Sequence, residues 1–302
     1  MAPFWEGLFA SLNYAGIFVL IALAHFTVAT KQPAMTAAAL AAHMRELDRP
    51  EDIDALVAES AALVRSQMAS VFGNLMAVAP VVLGVALLWW LATGRGPLDA
   101  AKAQAVLRDH SILGPSFVFA AYTGVLLWLS GLFSGWADNA FTVRRQHAAL
   151  ATNRRLVQRL GVDGARARAD WWRDNVAALA GNIGLGVLLG LTPMVWGFFG
   201  IDLEVRHVTL STGQLAAAAF SLGTASLLTP PFWMAVAGVA LIGALNVGVS
   251  FALAMRVAMR AVSISPANRT RVYGGIRRHL LTNPGDFIWP PADRAAVAGA
   301  AS

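Results

Sequence analysis

Apolar residues in this chain gather into five runs long enough to cross a bilayer as helices, at residues 9–30, 70–92, 114–136, 176–200 and 232–259. Hydrocarbon offers a backbone no water. A run of roughly 20 apolar residues must therefore pair its N–H and C=O groups internally, and a helix does so within one segment. A sixth stretch, 208–228, is apolar but rich in Ser, Thr, Gly and Ala, and it ends at Thr229-Pro230-Pro231. The pattern predicts an all-α polytopic membrane helix bundle with about five spanning helices. Residues 208–228 add a re-entrant segment or a sixth helix.

Polar periodicity predicts further helices outside the spans. Asp48 can cap a helix and Glu51 close a capping box. Ile53, Leu56, Val57, Ser60, Leu63 and Val64 then follow at helical spacing. The stretch 137–175 reads as helical with a break near Gly161–Gly164. Residues 269–281 place Val272, Ile276 and Leu280 on one side and arginines around them. The organisation expected is a membrane domain over 1–260, with cytoplasmic helices within 37–69 and 137–175, followed by a basic cytoplasmic tail over 261–302. Inside the spans, glycines recur one turn apart: Gly131 with Gly135, and Gly186 with Gly190. Small residues at that spacing let backbones approach in lipid, where apolar burial does not drive helices together. The Gly181–Gly186 stretch begins a span and follows no strand, so it is read as packing rather than as a dinucleotide loop.

Composition agrees with this class. Hydrophobic residues make up 57% of the chain and charged residues 13%, against about 25% charged in a soluble domain. There is no cysteine, which excludes disulfides, thiolate metal sites and a cysteine nucleophile. The net charge of +6 would suit nucleic acid in a soluble protein. Here the arginines crowd 137–175 and the C-terminal tail, the asymmetry expected of cytoplasmic loops. The N-terminus, with Glu6 before the first run and Lys31 after it, is then outside. The C-terminus is cytoplasmic. Five spans satisfy this bias, and a sixth would put the tail on the other face. Arg144, Arg145, Arg269, Arg277 and Arg278 are the expected contacts for anionic lipid headgroups.

Polar groups within apolar spans are costly and face protein or water. The ligand or pathway candidates are His25, Lys31, Asn74, Asn182 and Asn246. His25 suits a proton or ligand path, or else an interhelical hydrogen bond. For the asparagines the interhelical bond is the favoured reading. Asp138 is read as an ion-pair partner of Arg144 or Arg145, or as a cap. Asp202, Glu204, Arg206 and His207 crowd the connection after residue 200. Their interleaved signs read as local ion pairs rather than a metal site. No catalytic constellation, metal spacing or cofactor motif is recognisable.

Several segments carry a family resemblance: Ser11-Leu12-Asn13-Tyr14, the run from His25 to Thr36, and Gly131-Leu-Phe-Ser-Gly-Trp-Ala-Asp-Asn139. Others are Leu179-Ala-Gly-Asn182, Ile201-Asp-Leu-Glu-Val-Arg-His-Val-Thr209, Gly243–Leu253 and Asp286-Phe-Ile-Trp-Pro-Pro291. Together they resemble the bacterial polytopic membrane family known as "site-specific recombinase", in its C-terminal half. The resemblance implies an N-terminal half missing here, as in a fragment or a split gene, so that half or another protein is an expected partner. The family's name implies DNA strand exchange, which needs a tyrosine nucleophile among cationic groups. Tyr14 and Tyr122 fall within spans, and Tyr273 lies in the basic tail. The residues themselves favour a non-catalytic role in transport, lipid handling or assembly. A scaffold binding partners through its basic helices and a membrane-tethered recombinase are the alternatives, with nucleic acid not expected as a partner.

Overall fold

The computed structural model describes residues 3–24 and 50–290. Among these, nine α-helices and two short 3₁₀ turns account for the fold, with no strand. They are α1 (Pro3–Leu23), α2 (Pro50–Thr93), α3 (Ala100–Asp109), α4 (Ser116–Val143) and α5 (Gln146–Ala151). Then come α6 (Arg154–Phe198), α7 (Val208–Leu222), α8 (Pro230–Ala261) and α9 (Pro266–Thr282). Five of them, α1, α2, α4, α6 and α8, are long and apolar enough to cross a membrane. The fold class predicted from the hydrophobic pattern is therefore the one observed.

Helix ends follow local chemistry. Asp99 accepts the Lys102 N–H at 2.8 Å to start α3, and the Asn153 side chain accepts from Arg155 and Leu156 to start α6. Ser265 accepts the Asn268 N–H at 3.2 Å, and Pro266 fills the first position of α9, where a missing N–H costs nothing. Pro230 and Pro231 open α8 in the same way. The residues proposed as a capping box, Asp48 and Glu51, fall outside the described residues and side chains.

Two helices are longer than the hydrophobic runs within them. α2 has 44 residues, about 66 Å of helix, and α6 has 45, of which the piece after its break at Gly161 alone runs about 55 Å, against a hydrocarbon thickness of about 30 Å. The amphipathic segment at 53–64 is thus the first half of the span helix α2 rather than a separate helix. Likewise α4 runs unbroken through Asp138 to Val143, so Asp138 caps nothing. The break predicted near Gly161–Gly164 occurs at Gly161, which leaves helical geometry at φ 74° and ψ 175°.

The chain forms two compact units. The first comprises residues 1–35 and 126–203. There α1 lies along α6, with Gly186 and Gly190 at the crossing: a Cβ on either would overlap backbone atoms of Ala15 or Ser11. The spacing read as a packing motif is one. Gly135, by contrast, faces open space. Ser134 donates to the Ala177 carbonyl at 2.6 Å and ties α4 to α6. His147 meets Asp170 at 2.8 Å and so holds α5 to α6.

The second unit comprises residues 36–125 and 204–302. One end of it is a hydrophobic core of Ile53, Leu56 and Val57 from α2, Phe251, Met255 and Met259 from α8, and Ile264 and Val272. Leu63, Val64 and Ile276 pack at its edge. Leu280 does not join them and is 48% exposed. At 15 residues, α7 is about 22 Å long, too short to cross a bilayer. That length, with Gly223 at φ 78° and a 3₁₀ turn at Thr224–Leu228 behind it, fits the re-entrant form.

Candidate functional site

The second unit carries two linked features, a buried polar staple and a groove with almost wholly apolar walls. The staple is built on the non-helical segment 201–207 that precedes α7. Unpaired backbone is tolerated among apolar helices only where protein groups satisfy it, and here they do. The Arg206 N–H donates to Thr123 Oγ1 at 2.8 Å, while that hydroxyl donates to the Phe119 carbonyl. Asn246 of α8, with 0% exposure, uses both ends of its amide. Its Nδ2 donates to the carbonyls of Ala120 (2.9 Å) and Arg206 (3.1 Å), and its Oδ1 accepts the Val208 N–H at 3.1 Å. One asparagine thereby holds α4, α8 and the start of α7 together.

The Arg206 side chain is drawn inward with its backbone. The residue is only 8% exposed, although its ion-pair partner Glu204 is 45% exposed. A buried guanidinium needs compensation for lost water, which Glu204 supplies on one side. On the other side His110 Nε2 lies 3.4 Å from Nη1. His110 Nδ1 is 2.9 Å from the Val106 carbonyl. A carbonyl can only accept, so the ring proton sits on Nδ1 and Nε2 offers its lone pair to Arg206. Arg206 Nε is buried with no hydrogen-bond partner. Gly238 completes the cluster: a Cβ there would overlap the His110 carbonyl, so α8 lies directly against the end of α3.

Burial holds the His110 pKa below that of a free imidazole, and the positive charge of Arg206 adds to the effect. The Val106 carbonyl, Asp109 and Gln214 act in the opposite sense without reversing it. The folded state thus favours neutral His110. Its contribution to stability is complete above the unfolded-state value of about 6.5 and declines as pH falls below it, because the unfolded chain then binds the proton more readily. Thermal unfolding in detergent should show a lower midpoint at pH 5 than at pH 7.5. His110→Gln should flatten that pH dependence. An identical slope in the variant would remove His110 as its source.

The groove lies between α2, α7 and α8. It comprises two adjoining cavities of about 450 and 500 Å³ that share Ala79, Thr212 and Leu215, each within the usual size of a small-molecule site. Met68 and Leu75 line one end, and Leu83, Phe220 and Phe232 the other. Met76, Leu83 and Leu227 are both lining and exposed, so the groove opens to the surroundings.

The sequence candidates scatter. His25 and Lys31 lie outside the described residues. Asn74 is half-buried on α2, next to the groove-lining Leu75. Asn182 is buried in α6 of the first unit, with its Oδ1 lacking a hydrogen-bond partner. Asn246 proves to be a hub, and it acts as an interhelical tie. Of the local ion pairs read from the sequence for Asp202, Glu204, Arg206 and His207, the structure has Glu204 with Arg206, but Arg206 is buried rather than placed on a surface loop. Its one legible signal was the alternation of charged and apolar residues over 202–207, enclosed by apolar segments. Among the described residues no three His, Asp or Glu side chains group to hold a metal ion. Of the arginines expected to meet headgroups, Arg144, Arg145, Arg277 and Arg278 are exposed, whereas Arg269 turns its Nε to the Ile264 carbonyl at 2.9 Å.

A family model described as site-specific recombinase matches residues 1–290. No curated protein and no solved structure matches the chain.

Proposed function

The chain belongs to the site-specific recombinase family, and from that premise we propose that it is a multi-pass protein of the bacterial inner membrane that handles lipid. In this reading an acyl chain occupies the groove of α2, α7 and α8. The N-terminus is outside, and the arginine-rich 137–175 stretch and the tail are cytoplasmic, in contact with anionic headgroups. The observation that carries the proposal is the groove's chemistry. Its lining offers almost nothing but carbon, with Thr212 and Thr224 as the hydroxyl exceptions. A path for a polar solute needs polar walls, and the most buried polar candidate, Asn246, has every amide group engaged and lines neither cavity. From Met68 to Leu83 the α2 wall runs about 22 Å, longer than the ~15 Å half-thickness of a bilayer core.

Strand exchange, the chemistry in the family's name, has one specific observation behind it. Tyr273 is 42% exposed on α9, a helix with arginines and no acidic residue. Tyr14, in contrast, stacks on Phe18 within α1. The recombinase alternative requires a covalent DNA adduct that disappears in Tyr273→Phe. We expect no adduct in either protein.

The test of the lipid reading is photolabelling of the reconstituted protein with a phospholipid bearing a diazirine in its acyl chain. Label should concentrate on peptides from 68–83 and 212–223. Ala79 is half-buried and lines both cavities, so Ala79→Trp should plug them and cut that label severalfold without changing the melting temperature. Label spread evenly over every exposed apolar face, and indifferent to Ala79→Trp, would refute the proposal.

A further inference from the structure

Resting on the lipid-groove reading, we infer that the occupant is a phospholipid whose phosphate is held by Arg95 at the Phe232 end of the groove. The turn after α2 is fastened to the last turn of α7. Leu98 N–H donates to Ser221 Oγ at 3.1 Å, and a Cβ on Gly96 would stand only 3.0 Å from the same oxygen. Residues 220 and 223, on either side of Ser221's turn, line the groove together with Thr224, Leu227 and Phe232. Arg95 lies between Gly94 and Gly96 in this pinned turn. It is exposed, so its guanidinium is available to a headgroup at the place where the apolar walls end.

The aromatic residues mark the same level. Trp89 and Trp90 on the last turns of α2, and Trp233 on the first turn of α8, are all exposed. That is where indoles gather at a membrane–water interface, and it is the depth of a lipid phosphate. The charge balance also favours an anion. Asp99, the nearest carboxylate in sequence, caps α3 and pairs with Lys102 at 3.6 Å, which leaves Arg95 uncompensated by that group. The start of α8 is a poor substitute, because Pro230 and Pro231 carry no N–H and leave only that of Phe232 in the first turn to offer a phosphate. A guanidinium matches the geometry of phosphate oxygens with two parallel donors, and the continuous carbon wall beneath it matches an acyl chain. Neither feature alone selects a phospholipid, but their juxtaposition does.

The experiment is native mass spectrometry of the full chain released from nanodiscs of mixed phosphatidylglycerol and phosphatidylcholine, with diacylglycerol as the phosphate-free probe. The wild type should retain one phospholipid, and Arg95→Gln should hold it about tenfold less tightly. Diacylglycerol, with the same chains, should bind both proteins equally. Arg95 supports its neighbours only through backbone atoms, which bond the Thr93 hydroxyl, so the Gln variant keeps the turn. If Arg95→Gln retains phospholipid at the wild-type level while Ala79→Trp abolishes it, the headgroup assignment fails and the groove reading stands. If Ala79→Trp also leaves retention unchanged, both fall together. Release of the bound lipid by millimolar inorganic phosphate would assign Arg95 to free phosphate and overturn the phospholipid.

Discussion

Replacing Asn246 with Ala should destabilise the protein by about 2–3 kcal/mol, whereas the same change at Asn182 should cost far less. Both residues are asparagines inside apolar helices, and their sequences give no reason to separate them. Their surroundings do. Loss of the Asn246 amide strands the Val208 N–H and the Arg206 carbonyl, two groups outside regular helix pairing and far from water. The Ala120 carbonyl retains its place in α4 and suffers less. A single interhelical hydrogen bond in a membrane averages about 0.6 kcal/mol, because the unfolded helices also find partners. An orphaned buried group costs about 1–3 kcal/mol, and here two are orphaned at once. Asn246→Asp is the sharper variant. It preserves shape and the acceptor but turns a carboxylate towards the Ala120 and Arg206 carbonyls, so it should be no more stable than Asn246→Ala. Asn182 Oδ1 has no hydrogen-bond partner to lose. Unfolding in mixed detergent measures all three variants, and equal losses at the two asparagines would contradict the staple.

The five spans were legible because hydrophobic length is a one-dimensional property of the chain. The boundaries of α2 and α6 were not. Hydropathy marks where solvent changes, and a helix need not end there: nothing between Gln67 and Ser70, or between Asn175 and Val176, interrupts helical pairing. Asn246 was legible as an interhelical bond in kind, since a lone amide among apolar neighbours has few other uses. Its partners were not, because they lie at Ala120, Arg206 and Val208, brought near only by the fold. The burial of Arg206 was hidden for the same reason. A run of alternating charges resembles a wet loop until Thr123, 83 positions away, is found accepting from its backbone. The groove had no signature at all. A cavity is the volume that three helices fail to fill, and each of its walls alone reads as an ordinary lipid-facing span.

Gly190→Leu should be the most damaging substitution in the first unit, with a loss of about 3 kcal/mol or more. A side chain at this crossing meets backbone that no rotamer change can clear. The atoms a Cβ would overlap include the backbone nitrogen and Cα of Ser11, beside its hydroxyl oxygen, and at Gly186 the nitrogen and Cα of Ala15. Overpacking against side chains costs about 1–3 kcal/mol because rotamers can adjust, but backbone cannot, so α1 must lift from α6. Lifting it also breaks the approach of the Ser11 hydroxyl, bonded to the Gly7 carbonyl at 2.7 Å, to the Val187 carbonyl at 3.4 Å. Without apolar burial to drive helices together in lipid, close packing supplies most of the attraction, and a separation of even an ångström forfeits much of it. The chain has no cysteine, so Ala15→Cys provides a single thiol at the crossing. It should resist maleimide in the otherwise wild-type protein and react readily once Gly190→Leu is added. Gly16 and Gly197 are the controls: both are helical and face open space. Gly→Ala there should be neutral or stabilising by about 0.5–1 kcal/mol through helix propensity alone. If those alanines hurt as much as leucine at position 190, glycine at the crossing would be serving flexibility rather than contact, and the close docking of α1 on α6 would have to be abandoned.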